Sequence, residues 1–216
     1  MISRLIIDST SAKTELCGIG EIVGTDKSPY NKIAHRHPYT AVYNMLLAPL
    51  KNKPIRFAEI GVAMGASAIM WDIYFRNPAA ELHMFDRDEN ILMYGRNIVG
   101  KRVQMSLMDV SIEGDVKRAL VTAAGGEDNL YDVIIDDSSH AREHQVSIIK
   151  EALPRLKSGG MIIVEDIFRS ESEEYYEAQL KDIIPQCAAY YFVMCEHQDK
   201  WSPGWDNDKL LVLVKG

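Results

Sequence analysis

Hydrophobic positions along the chain fall into two regimes. From about Pro54 onward, short apolar runs alternate with longer segments whose apolar residues recur at helical spacing. The runs at 55–60, 82–85, 103–107, 132–135, 161–164, 190–194 and 210–214 predict seven strands. Between them, 67–75, 89–98, 113–124, 142–156 and 172–184 predict helices, several of them closed by Gly100, Gly125-Gly126 or Ser158-Gly159-Gly160. Strand alternating with helix predicts an α/β fold, a parallel sheet with helices on both faces. Only a short polar stretch separates the last two strands. They are expected to pair as a hairpin, which makes the last strand antiparallel.

The first fifty residues break this rhythm. Residues 18–38 are polar, turn-rich and strand-poor, and 39–50 reads as one helix. An irregular segment of about twenty residues in a compact domain is usually disordered or functional. This one carries Lys27, Tyr30, His35, His37 and Tyr39, and is expected to cover a site. The organisation expected is a covering segment with its helix over residues 1–50, then one α/β domain over 51–216.

Composition narrows the class. The chain has 216 residues, 47% apolar and 25% charged, which fits one globular domain and excludes a disordered chain. With 24 Lys+Arg against 31 Asp+Glu, the net charge of −7 argues against nucleic-acid binding by bulk charge. The apolar runs fall far short of the ~20 residues of a membrane span. No basic segment followed by an apolar stretch begins at Met1, so no signal peptide is expected. Cys17, Cys187 and Cys195 are too far apart for a zinc site or a disulfide framework, and a cytoplasmic compartment is expected.

In open α/β sheets, ligands bind at the carboxyl ends of the strands. After the first run comes Glu59-Ile-Gly61-Val-Ala63-Met-Gly65-Ala-Ser67. Gly61 and Gly65 allow close backbone approach, but Ala63 stands mid-loop where a dinucleotide fingerprint has its middle glycine. The Glu59 carboxylate suits a cationic amino group better than a phosphate. The second run ends at Asp86, placed to accept from ribose hydroxyls, and the third leads to Asp109, placed to meet an adenine amino group. Together these favour a nucleoside without phosphate, S-adenosylmethionine rather than NAD. The plain alternative is a packing turn between strand and helix.

After the fourth run stands Asp136-Asp137-Ser138-Ser139-His140, and after the fifth Glu165-Asp166. Adjacent strands would bring Asp137, Glu165 and Asp166 to one spot, where like charges repel unless a cation intervenes. An all-oxygen set points to Mg²⁺, Mn²⁺ or Ca²⁺ rather than zinc. Otherwise these acids cap helices or pair with Arg142, Arg155 or Arg169. His140 has the chemistry of a general base near neutrality, with His144 in reserve. Trp201 and Trp205, in a turn-rich stretch before the last strand, either stack on a sugar or fold back on the sheet.

These residues, with Gly24-Thr-Asp-Lys27 and His37-Pro-Tyr-Thr40, make the chain resemble the metal-dependent, S-adenosylmethionine-dependent sugar O-methyltransferases of macrolide tailoring. The resemblance runs from about Gly24 to the C-terminus. It implies the class I methyltransferase sheet, Rossmann-like, with seven strands and the last antiparallel. It also implies a metal (Mg²⁺ or Mn²⁺) on Asp137, Glu165 and Asp166, and catalysis by His140 as base with Asp137. Glu59, Gly61, Ala63, Gly65, Ser67, Asp86, Asp109 and Asp136 would surround the cofactor. Ser138 departs from the glycine common in relatives, and the N-terminus is shorter than in the macrolide enzymes. At closer range the chain is similar to methyltransferase domains of glycan-building proteins in large algal viruses. That implies a rhamnose acceptor, a host-cytoplasm setting, and a homo-oligomer or a longer multidomain chain. A carbohydrate partner is expected, with no nucleic acid and no membrane span. Rival readings are a catechol-type O-methyltransferase, a non-catalytic module of the same fold, and an NAD-dependent oxidoreductase.

Overall fold

The computed structural model describes residues 3–33 and 35–216; Met1, where no signal peptide is expected to begin, lies outside the described residues. One mixed sheet contains β1 (Ser3–Asp8), β2 (Arg56–Ile60), β3 (Glu81–Asp86), β4 (Val103–Leu107), β5 (Tyr131–Asp136), β6 (Leu156–Ile167), β7 (Cys187–Glu196) and β8 (Lys209–Lys215). Their order across the sheet is β1-β7-β8-β6-β5-β2-β3-β4. Each of the seven predicted runs falls on a strand, the first starting one residue ahead of β2, and β8 runs antiparallel to both β6 and β7.

The expected count of seven is corrected to eight. β1 pairs parallel to β7 and extends the sheet beyond the hairpin. Its six residues are mostly exposed, so no buried face imposes an alternating pattern, and pairing with β7 rather than patterning makes it a strand.

Among the described residues, seven α-helices accompany the sheet: α1 (Glu15–Val23), α2 (Tyr39–Leu47), α3 (Ala66–Tyr74), α4 (Glu89–Ile98), α5 (Asp115–Ala124), α6 (Arg142–Ala152) and α7 (Glu173–Gln179). α1 falls partly inside the stretch expected to be irregular. The Thr14 side chain caps it by accepting from the Cys17 N–H, and Gly24 ends it at φ 73°. The helices predicted over 39–50 and 142–156 each change to a 3₁₀ turn where Pro49 and Pro154 enter.

Strand alternation divides the core into two layers. Phe57, Val133, Ile135, Ile163, Leu210 and Val212 face a layer holding Leu16, Tyr43, Trp71 and Leu92 of α1–α4. Ala58, Ile134, Ile162, Val164, Leu211 and Leu213 face Leu120, Ile149 and Tyr176 of α5–α7. No helix among the described residues is long and apolar enough to cross a membrane. The three cysteines are free.

Candidate functional site

The carboxyl ends of β2, β5 and β6 lie side by side, with Glu59 in register with Ile135 and Ile135 with Ile163. Glu59 therefore points into the α1–α4 layer, and Asp137 and Glu165, each two residues beyond its aligned partner, belong to that same side. By the same alternation Asp166 should turn away from Glu165. The register shifts between Val164 and Ile167, and Asp166 adopts φ 55°, which returns its carboxylate to the rim. The Tyr39 hydroxyl donates to Asp166 Oδ1 at 2.7 Å.

At the centre of this cluster sits Lys27, to which the sequence reading gave a place in the covering segment and in the Gly24–Lys27 motif but no role in the site. The Lys27 ammonium lies 2.8 Å from both oxygens of Glu165, 3.4 Å from Glu59 Oε1, and in direct contact with Asp137 Oδ2. Tyr43 donates a further hydrogen bond to Glu165. Burial opposes the Lys27 charge, yet the combined field of Asp137, Glu165 and Glu59 carries its pKa well above the ordinary lysine value. Three carboxylates to one ammonium leave an excess of negative charge. Burial drives Asp137 well above the usual range and pushes Glu165 up to about 7 despite Lys27.

Asp166 has different neighbours. His140 Nε2 is 3.6 Å from its Oδ2, and His37 Nδ1 is 3.8 Å from its Oδ1 and 2.9 Å from Asp208 Oδ1. Burial works against the His37 charge, but the hydrogen bond to Asp208 and the field of Asp166 raise its pKa overall. His140 adopts φ 56°, and its Nδ1 is buried without a partner. Asp137, His140 and Asp166 each offer a ligand atom within 4.8 Å of the others, and so do Glu59, Asp137 and Glu165. The expected triad is thus split between two groups that share Asp137. The second group already surrounds Lys27; the first fits a hard cation through its carboxylate oxygens.

On the other side of the 137–140 turn lies a cavity of about 310 Å³. Of the residues expected around a cofactor, Gly61, Asp86 and Asp109 line it, joined by Ser138, Ser139 and His144. Gly61 has φ 92°, and a Cβ there would collide with the Asp137 carbonyl oxygen, so only glycine lets the β2–α3 loop lie against the β5–α6 turn. Gly65 (φ 82°) and Ala63 (φ 43°) complete the loop's left-handed turns. Asp86 accepts from the Val62 N–H at 3.1 Å, and Asp109 from the Ser111 N–H and hydroxyl, which holds its carboxyl below the usual range.

The remaining cofactor candidates, Glu59, Ala63, Gly65, Ser67 and Asp136, do not line the cavity. Glu59 is fully buried, accepting from Ser67 Oγ at 2.7 Å and Trp71 Nε1 at 3.1 Å. Asp136 is buried, with Oδ1 bonded to the Ser138 hydroxyl and Oδ2 unpartnered. Burial raises its pKa against those Ser138 bonds.

A second cavity, of about 360 Å³, opens on the far side of His140, between Arg142, Glu171, Phe168 and Tyr176. Trp205 stands beside it, its ring 5.9 Å from Phe168 and 6.5 Å edge-on to His140. Trp201 and Trp205 remain half exposed, at 48% and 46%, rather than folded onto the sheet. Arg36 and Trp201 exchange backbone hydrogen bonds, so the polar N-terminal segment and the β7–β8 loop are stitched together at this rim.

Comparisons with known proteins bear on these cavities. A family model described as a methyltransferase domain matches residues 58–167, half of the chain. The 8-demethyl-8-alpha-L-rhamnosyl tetracenomycin-C 2'-O-methyltransferase of Streptomyces olivaceus is 33% identical over 144 residues, covering 61% of this chain and 33% of that protein. The mycinamicin VI 2''-O-methyltransferase of Micromonospora griseorubida is 26% identical over 145 residues, 63% of this chain and 33% of that one. The chain thus spans about a third of the length of these curated relatives. Among solved structures, MycE of mycinamycin biosynthesis, with Mg and S-adenosylhomocysteine (SAH), superposes at a TM-score of 0.68 with 19% identity, covering 95% of this chain and 56% of its own. SAH-bound PaMTH1 of Podospora anserina gives 0.58 at 17% identity, covering 93% and 87%. The shared fold is the α/β class I methyltransferase fold.

Proposed function

The chain belongs to the methyltransferase domain family, and from that membership we propose that it is an S-adenosylmethionine-dependent O-methyltransferase acting on a sugar hydroxyl with a divalent metal, Mg²⁺ or Mn²⁺. The observation that carries this reading is the placement of the 310 Å³ cavity and the carboxylate–histidine cluster on opposite sides of one turn, residues 137–140. The relatives named for rhamnosyl and mycinamicin O-methylation support the acceptor class.

S-adenosylmethionine, when bound, supplies an electrophilic methyl on sulfur. The divalent ion, when bound, supplies a Lewis acid that orients a hydroxyl pair and lowers the pKa of the reacting one. Gly61 lines the cavity, Ala63 and Gly65 shape the loop that follows it, and Asp86 and Asp109 put carboxylates where ribose hydroxyls and the adenine amino group would donate. Ser67 is hydrogen-bonded to Glu59, and Asp136 to the cavity-lining Ser138. Asp137, Glu165 and Asp166 would hold the ion, Glu165 on giving up its contact with Lys27. His140 Nε2 takes the acceptor's proton, while Tyr39 and His37 keep Asp166 in place.

The acceptor occupies the second cavity, its apolar face on Trp205 and Phe168 and its hydroxyls toward Arg142 and Glu171. The N-terminal segment meets the β7–β8 loop beside it, at the bridge between Arg36 and Trp201. A rhamnose acceptor, a viral glycan setting in the host cytoplasm, and assembly as a homo-oligomer or within a longer multidomain chain rest on the sequence resemblance. The test is a panel of methyl glycosides, methyl α-L-rhamnoside included, incubated with the chain, labelled S-adenosylmethionine and Mg²⁺. Label is expected in a glycoside carrying adjacent free hydroxyls. Label in catechol and in no glycoside would replace the sugar with a planar aromatic acceptor.

A further inference from the structure

The sheet ends in β4 on one side and β1 on the other, and the two edges are finished differently. At the β4 edge the Met105 carbonyl accepts from the Arg96 guanidinium at 2.9 Å. At the other edge, among the described residues, no strand lies beyond β1. Its residues are mostly exposed, Ile6 at 72%. An uncovered edge strand is a template for pairing with another chain, unless proline, a bulge or a mismatched charge prevents it. Ser3-Arg-Leu-Ile-Ile-Asp8 has no proline, and its two charges flank an apolar centre.

Pairing on the inner side decides which backbone groups face outward. The Ser9 N–H donates to the Glu196 carbonyl at 2.9 Å, and successive residues of a strand aim their N–H and C=O at opposite edges. Ser3, Leu5 and Ile7 therefore bond toward β7, while Arg4, Ile6 and Asp8 hold their donors and acceptors outward. An antiparallel partner must set outward residues against outward residues. With β1 of a second copy, a two-fold axis through Ile6 does so: Ile6 meets Ile6, and Arg4 meets Asp8 at each end. The next registers the backbone allows set Arg4 or Asp8 against Ile6 and leave the charges unmatched. Arg4 already reaches Glu173 at 2.7 Å, but its side chain is 56% exposed and a guanidinium has donors for a second carboxylate. Asp8 Oδ1 accepts from the Thr10 N–H at 2.9 Å, which holds the carboxylate beside the strand.

We propose that β1 is an interaction strand that pairs antiparallel with β1 of a second copy of this chain, about a two-fold axis through Ile6, joining two sheets into one. The surface complements itself. Arg4–Asp8 ion pairs stand at both ends of a central Ile6 pair on one face, and Leu5 meets Ile7 on the other. A groove of about 510 Å³ beside the strand, between Leu5, Ile184, Tyr190 and Tyr191, offers the partner further apolar contact. A six-residue strand pair is small against the ~1,000 Å² of a durable interface, so the association is expected to be reversible. It uses no residue of the carboxylate cluster or of the two cavities beside His140, and it stands whether or not the methyltransferase reading does.

The test is sedimentation velocity of the full chain over a concentration series from about 1 to 300 μM, the range in which so small an interface associates. The wild type should pass from monomer to dimer. Ile6→Pro removes an outward N–H while leaving the β7 side of the strand intact, and should stay monomeric. Arg4→Asp and Asp8→Arg should each weaken self-association by about tenfold, because like charges then stand opposite each other. An equimolar mixture of these two variants should dimerise as well as the wild type does, since each supplies the charge the other lacks. A wild type that remains monomeric throughout the series overturns the proposal, as does a dimer that Ile6→Pro leaves intact. It falls equally if the mixture associates no better than its components. Should circular dichroism show that Ile6→Pro does not fold, the charge variants and their mixture still decide the matter. Hydrogen exchange supplies a residue-level check: the Ile6 N–H should slow as protein concentration rises, and exchange independent of concentration would count against the strand.

Discussion

His140 holds a left-handed backbone conformation that costs a non-glycine residue roughly 1 kcal/mol, and that twist points its ring at Asp166 rather than into solvent. Its Nε2 faces the carboxylate cluster while its backbone turn borders the 310 Å³ cavity proposed for the cofactor. Replacing it with alanine should therefore lower turnover by about 10²–10⁴-fold while leaving SAH affinity intact, which steady-state kinetics and calorimetry would separate. His83 is a second histidine whose environment makes a prediction, this time for stability. It is buried on β3, with Nδ1 2.8 Å from the Tyr131 hydroxyl and Nε2 unpartnered, and burial lowers its pKa from 6.5 to about 4. The unfolded chain thus binds a proton that the folded chain refuses between these two values. Stability should fall as the pH drops from 6.5 toward 4, by on the order of 2 kcal/mol from this group. Denaturant midpoints at pH 7 and pH 4.5 would show it, and His83→Phe should flatten the difference.

At the scale of elements, the site depends on loops pressed together at the ends of strands. The β2–α3 loop meets the β5–α6 turn at Gly61, whose φ of 92° and missing Cβ are both required by the Asp137 carbonyl. Gly61→Val should displace residues 137–140 and abolish SAH binding. The backbone strain alone costs about 1–3 kcal/mol, so equilibrium unfolding and calorimetry should report both losses. α1 is a smaller case. Thr14→Ala removes the side chain that caps the helix at the Cys17 N–H, and should cost ~1 kcal/mol by thermal unfolding without altering SAH affinity.

Across the whole molecule, three segments far apart in sequence meet at one rim: the N-terminal turn bearing Lys27, the β5–β6 carboxylates, and the β7–β8 loop with its tryptophans. A ligand that binds only where they meet stabilises the entire fold. SAH at 100 times its dissociation constant should add about 2.7 kcal/mol to unfolding, visible as a raised melting temperature. Chelation by EDTA should abolish methyl transfer and Mg²⁺ or Mn²⁺ restore it, with the SAH-dependent shift retained because the cavity proposed for the cofactor and the carboxylates proposed for the ion lie apart. Full transfer in EDTA would remove the metal from the reaction.

Periodicity alone determined the alternation of seven strands with helices, the reversed last strand, and the strand ends at which Gly61, Asp86, Asp109, Asp137 and Glu165 stand. Those are local consequences of which face each residue must bury. Three matters were decided only by tertiary structure. β1 became a strand by pairing with β7, since its exposed residues carry no buried face to reveal it. Asp166 returned to the rim through a bulge and a left-handed φ, which no alternation rule anticipates. Lys27 reached the heart of the carboxylate cluster from 110 residues away, because only the packing of α1 and α2 on the sheet brings its ammonium there. A charge's partner is set by distance in space, and a sequence read by itself measures distance only along the chain.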